Sequence, residues 1–103
     1  MILSFNMVNT EEAKQMRSGI NIRGKLEGFA DPRTVNLKTG ETTTVRDVSL
    51  SDDVGTIKLT LWGDDCSKFQ SGDTVELTNG YSNEYQGVVS LGRGKFGQLE
   101  KAT

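Results

Sequence analysis

Thr56–Trp62, reading TIKLTLW, holds the residues of this chain best suited to chemistry on a ligand. Taken with the two-residue period of a strand, it sends Ile57, Leu59 and Leu61 to one face and Lys58, Thr60 and Trp62 to the other. The apolar face belongs to a core, so the only tryptophan points away from it, on the same face as a lysine. A large ring that forgoes burial beside an ammonium group suits a ligand that is flat and anionic, such as a nucleic-acid base with its phosphate. Tyr81, Tyr85 and Phe29 are further aromatic candidates, each beside a predicted loop, and Arg33, Arg46, Arg93 and Lys95 are further cations that could follow a phosphate chain. Each has a plainer reading: a tryptophan packs on either face of a sheet, a tyrosine near a turn pins it through the hydroxyl, and single surface cations serve solubility.

Other chemistries are poorly supplied. The chain has no histidine and one cysteine, Cys66, which excludes an internal disulfide and leaves no histidine-based acid/base pair and no plausible zinc site. Cys66 reads as a small packing residue. The paired carboxylates Glu11-Glu12, Asp52-Asp53 and Asp64-Asp65 fall at turns and helix starts, which suits capping better than catalysis. Gly92-Arg93-Gly94-Lys95 lacks the strand-loop-helix setting of a phosphate-binding P-loop. The expectation is a protein without catalytic residues, metal or cofactor.

The elements that must position Trp62 follow from length and pattern. A chain of 103 residues with 34% hydrophobic and 25% charged residues makes one folded domain around one core. Its net charge of −2 and sequence pI near 5.1 argue against a general basic field, so any phosphate contact must come from a local groove. MILSFNMVN has neither a basic start nor a long apolar run, and the expected location is soluble and cytoplasmic.

Residues 1–19 read as an N-terminal extension whose short helix has Asn9 or Thr10 as N-cap, Glu12 near its third position and Gly19 as its stop. Residues 20–103 read as the main domain. Residues 20–30 alternate as a first strand with glycines at bends, and DPRTVNLKTGET makes a long connection to a second strand at 43–51. There Val48 and Leu50 face in while Asp47 and Ser49 face out. Asp52-Asp53-Val54-Gly55 turns the chain into the third strand at Thr56–Trp62, and DDCSKFQSGD forms a helix with Phe69 in the core. A fourth strand at 74–78, a loop SNEYQG and a fifth strand at 87–91 follow, and the glycine-rich tail has no assigned form. Five strands with a helix between the third and fourth is the order of an OB-fold, a Greek-key barrel that binds oligonucleotides on its strand 2 to 3 face and in its 1-2 and 4-5 loops.

At these residues the chain resembles the single-stranded DNA-binding OB domains of archaeal replication protein A and of the simple single-stranded DNA-binding proteins. The blocks that carry the resemblance are VRDVSLSDDVGTIKLTLWGDD, GDTVELTNGY and YQGVVSLGRGKFGQL, about two-thirds of the chain. The resemblance implies a non-enzymatic domain that takes single-stranded DNA with little sequence preference in replication, recombination or repair, with other proteins of those assemblies as further partners. It implies that Trp62, Tyr81 and Tyr85 are stacking residues and that Arg46 stands at a commonly basic position. Gly92 stands where some relatives carry another aromatic, which leaves Phe96 as a nearby substitute. RNA or tRNA binding, and service as a protein-interaction module, are the alternative readings of the same fold.

Overall fold

The computed structural model describes residues 7–94 and 97–102. In order they form α1 (Thr10–Ala13), β1 (Ile20–Glu27), β2 (Arg33–Asn36), β3 (Thr42–Ser51), β4 (Thr56–Trp62), a 3₁₀ turn (Gly63–Ser67), β5 (Thr74–Tyr85), β6 (Val88–Gly92) and β7 (Gln98–Lys101). The hydrogen-bonded order is β1-β3-β4-β6-β5, and β1 also pairs with β5, so these strands close into a ring. Only the β4–β6 contact within the ring is parallel. Closure leaves β1, β3, β4, β5 and β6 with neighbours on both edges. β2 and β7 then add to β3 and β5.

The alternation predicted for TIKLTLW is the alternation observed. Ile57, Leu59 and Leu61 are buried while Trp62 is 36% exposed. They meet Ile20, Ile22 and Leu26 of β1, Val48 and Leu50 of β3, and Val75 and Leu77 of β5 in one apolar cluster, with Phe69 and Ala13 closing it from outside the strands. Leu59 has no exposed surface, and truncating such a residue to alanine costs about 2–5 kcal/mol, which makes this cluster the source of the ring's rigidity. Among the described residues no helix is long and apolar enough to cross a membrane.

Several elements depart from the sequence pattern. The first strand ends at Glu27, and the long connection that follows contains a strand of its own, β2, whose Arg33 lies opposite Val45 and Asn36 opposite Thr42. The segment after Trp62 is a single 3₁₀ turn, and the helix expected over DDCSKFQSGD does not extend beyond it. β5 continues past the expected end at Thr78, through Asn79 in a left-handed conformation (φ 54°), and takes up most of SNEYQG. Its first half pairs with β1 and β7 and its second with β6, so the strand bends from one side of the ring to the other. Gln86 and Gly87, with φ of 52° and 81°, make the tight turn into β6. Positive φ at both central residues is the twist a two-residue hairpin needs, but glutamine is an uncommon donor of it, which hides the turn in the sequence. The tail adds β7 by pairing Leu99 with Leu77.

α1 ends at Ala13, short of the expected stop at Gly19, and the described part of the N-terminal segment is fastened to the barrel at two points. Asn9 caps α1 in a reciprocal box with Glu12, as expected. Asp52 in the β3–β4 turn accepts from the Thr10 amide (2.9 Å) and hydroxyl (3.0 Å) and from the amides of Val54 (2.9 Å) and Gly55 (3.0 Å). Beyond α1, the Ser82 amide donates to the Arg17 carbonyl (3.0 Å) and its hydroxyl to that of Met16.

Candidate functional site

Register assembles the site in rows, because residues paired across neighbouring strands project on the same side of the sheet. One row runs Arg33, Val45, Trp62 over β2, β3 and β4. The next runs Asp47, Thr60, Gly92, Tyr81 over β3, β4, β6 and β5. A third runs Ser49, Lys58, Ser90, Asn83. Together they floor a groove of about 400 Å³ on the outside of the ring, whose walls include Arg33, Asp47, Lys58, Thr60, Trp62, Tyr81, Asn83, Glu84, Ser90 and Leu91. A second hollow of about 240 Å³ adjoins it, bounded by Trp62, Tyr81, Arg93 and Gly94. Trp62 and Tyr81 border both.

Gly92 has a positive reason to lack a side chain. A Cβ there would stand 2.8 Å from Cζ and the hydroxyl of Tyr81, and one on Gly94 would stand 3.0 Å from its Cδ1. The Tyr81 ring therefore lies against the backbone of these two glycines, which holds it in the groove. The position where the resemblance led one to look for another aromatic is occupied by the ring of Tyr81 arriving from the neighbouring strand.

The electrostatics of the groove centre on Asp47. Its Oδ2 accepts from Arg33 Nη1 at 3.0 Å and faces Lys58 Nζ at 3.4 Å, while its Oδ1 accepts from the Thr60 hydroxyl at 3.1 Å. Burial by itself would raise the Asp47 pKa, but the hydrogen bonds from Arg33 and Thr60 and the charges of Lys58 and Arg33 outweigh it and hold the carboxyl below its usual value. At the neighbouring hollow, Arg93 Nε donates to Asp65 Oδ2 at 2.8 Å, and Asp65 is buried in the 3₁₀ turn that follows Trp62. This fixes the Arg93 guanidinium beside the two rings, since a buried carboxylate needs its partner.

Trp62, Tyr81, Lys58, Arg33 and Arg93 are thus brought together. Arg46 and Phe29 are not. Arg46 is in register with Leu61, on the inward face, and its Nε donates to the Ala30 carbonyl (2.6 Å) with its guanidinium 4.9 Å from the Phe29 ring centroid. Phe29 packs against the core. The two close the end of the ring, for a reason of alternation: Asp47 faces out, so Arg46 faces in. Tyr85 pairs with Val88 at the end of β5, and its side chain is outside what is described. Lys95 and Phe96 lie outside the described residues. Asp47, Asn83 and Ser90 enter the site without having been singled out as ligand residues; the outward position of Asp47 in VRDVSL was the one available signal. Cys66 stays apart, its thiol donating to the carbonyls of Thr44 and Leu61 (3.4 Å each), and burial together with the Asp65 charge pushes its pKa up.

The chain superposes on an OB domain from Thermoplasma acidophilum with a TM-score of 0.79, over 93% of this chain and 86% of that one, at 21% identity. The fold is an OB-fold. It is similarly close to a chain of a replication protein A heterotrimer bound to single-stranded DNA (TM-score 0.80, 16% identity, 98% of this chain and 25% of that one). A replication factor A related protein from Methanobacterium thermoautotrophicum matches over 98% of this chain and 94% of its own, with a TM-score of 0.69 and 18% identity. By sequence, the chain is 24% identical over 90 residues to the single-stranded DNA binding protein Ssb of Saccharolobus solfataricus, covering 87% of this chain and 60% of that relative's length. No protein-family model matches. The resemblance read from the residues is borne out by these relatives.

Proposed function

We propose that this OB-fold chain binds single-stranded DNA with little sequence preference, in replication, recombination or repair, and does no chemistry on it. Bases stack on Trp62 and Tyr81, and Arg33, Lys58 and Arg93 meet the phosphates on either side. The observation that carries this is the shared border of two hollows by two outward rings with cations flanking them. Every base has a face to stack and a phosphate to neutralise, so such a surface tolerates sequence. The names of the relatives, a single-stranded DNA binding protein and a replication protein A bound to single-stranded DNA, support the same ligand class. Duplex is disfavoured, because rings can take up only unstacked bases and the described residues offer no recognition helix to a major groove.

The test is a titration of oligo-dT, oligo-U and a duplex, read by the fluorescence of the single tryptophan, Trp62. Quenching by the single strands ahead of the duplex is expected. Trp62→Ala, which removes that fluorophore and is followed instead by the anisotropy of a dye-labelled oligo-dT, should weaken binding by about 1–3 kcal/mol with an unchanged melting temperature. Equal affinity for duplex, or normal binding by the alanine variant, would overturn the assignment, and a preference for oligo-U would move the ligand to RNA.

A further inference from the structure

The groove cations are already occupied. Arg33 and Lys58 both face the single carboxylate of Asp47, at 3.0 and 3.4 Å, and that carboxylate is only 18% exposed at the groove floor with Thr60 holding its other oxygen. One anionic oxygen bridging a guanidinium and an ammonium is the arrangement a backbone phosphate would adopt between the same two side chains. We propose that Asp47 stands in the place of a phosphate between Arg33 and Lys58 and thereby excludes isolated phosphates and mononucleotides from the groove. The inference rests on the single-strand reading for what finally displaces it.

Asp47 and an incoming phosphate compete for the same two cations. A carboxylate on the same fold competes at an effective concentration of about millimolar or more, whereas a free phosphate must supply its own concentration and gains one contact only. A strand whose bases also rest on Trp62 and Tyr81 arrives with its phosphates already tethered, so it competes on equal terms. Thr60, the ladder to β4 and the Ala30 amide, which donates to the Asp47 carbonyl at 2.8 Å, keep Asp47 in place, unlike a surface carboxylate on a loose side chain. The displaced carboxylate then remains beside the bound phosphate and cancels part of the neutralisation. Single-strand binding should consequently depend on salt less steeply than the number of groove cations suggests.

Asp47→Asn is the test, with Asp47→Ser as a second uncharged variant in parallel and Asp47→Glu as the variant that keeps the charge. Inorganic tripolyphosphate at millimolar concentration should shift the NMR signals of Thr60 and Lys58 in the two uncharged variants and leave the native protein and Asp47→Glu unshifted. Oligo-dT should bind the uncharged variants about three- to tenfold tighter at low salt, with the log affinity against log salt slope steeper by about 0.7, one further phosphate neutralised. If the native protein binds oligo-dT but the uncharged variants bind it no more tightly, with unchanged slope and no response to tripolyphosphate, Asp47 only positions the cations and the proposal fails while the DNA reading stands. If no form binds oligo-dT, the DNA reading fails, and the tripolyphosphate response decides the proposal by itself: a gain in the uncharged variants upholds it and its absence overturns it.

Discussion

Replacing Gly92 by alanine should damage binding and spare the fold. The added Cβ would lie 2.8 Å from Cζ and the hydroxyl of Tyr81 and 2.9 Å from Cε1. Carbon atoms in contact settle at about 3.5–4.0 Å, so the ring must retreat by roughly 0.6–1 Å. There is room for this, because Tyr81 is half-buried and its ring borders two open hollows. Gly92 is not among the residues with positive φ, so alanine brings no backbone strain of its own. Stability should therefore change by less than about 1 kcal/mol. The loss falls on the stacking platform: a misplaced Tyr81 forfeits part of the roughly 1–3 kcal/mol that a stacked base contributes, and affinity for oligo-dT should drop by about 1–2 kcal/mol, or about five- to thirtyfold. Gly24→Ala is the contrasting perturbation. Its Cβ would stand 2.6 Å from the Ser51 carbonyl oxygen and 3.0 Å from Leu50 Cδ1, groups of the ring itself that cannot swing away. Overpacking there should cost about 1–3 kcal/mol of stability with the binding of the folded fraction unchanged. Titration by Trp62 fluorescence and thermal melts by circular dichroism separate the two effects. If Gly92→Ala binds as the native protein does, or melts as early as Gly24→Ala, Tyr81 is not held for stacking by the glycine beneath it.

Asp52→Asn should cost about 1–2 kcal/mol at neutral pH, since the carboxylate collects four hydrogen bonds that join α1 to the β3–β4 turn. Burial alone would raise the Asp52 pKa, but the amides of Val54, Gly55 and Thr10 and the Thr10 hydroxyl outweigh it and leave the group below its ordinary value. A depressed carboxyl contributes its full stability above the unfolded pKa of about 3.9 and loses it as pH falls through the lower folded value, so urea midpoints should decline below about pH 4 in the native protein and more weakly in Asp52→Asn. Lys58→Glu should flatten the salt dependence of oligo-dT binding by about 0.7, whereas Lys14→Glu, whose amine pairs with Glu11 at 2.9 Å away from the groove walls, should leave the slope unchanged; equal effects would move the binding face.

The periodic parts of this protein were legible in the sequence because their cause is local. TIKLTLW alternates apolar and polar residues, and a strand with one buried face has only one way to accommodate that, which places Trp62 and Lys58 outward before any partner strand is known. Capping of α1 by Asn9 and Glu12 was equally local. Neighbours across the ring were not. β2 and the second half of β5 lack a clean alternation, and they are strands because Thr42 to Val45 and Val88 to Gly92 offer them backbone partners. That pairing with the next strand, which neither segment's own pattern announces, converts an apparent loop into the wall that carries Asn83 beside Tyr81, and a missing aromatic at Gly92 into the bed of Tyr81. It also sorted the cations. Arg46 and Asp47 are adjacent in sequence, yet alternation turns one to the end of the ring beside Phe29 and the other to the floor between Arg33 and Lys58. Residue type announced which side chains could meet a strand of bases; only the closed sheet, by fixing register across β2, β3, β4, β6 and β5, decided which of them share one groove.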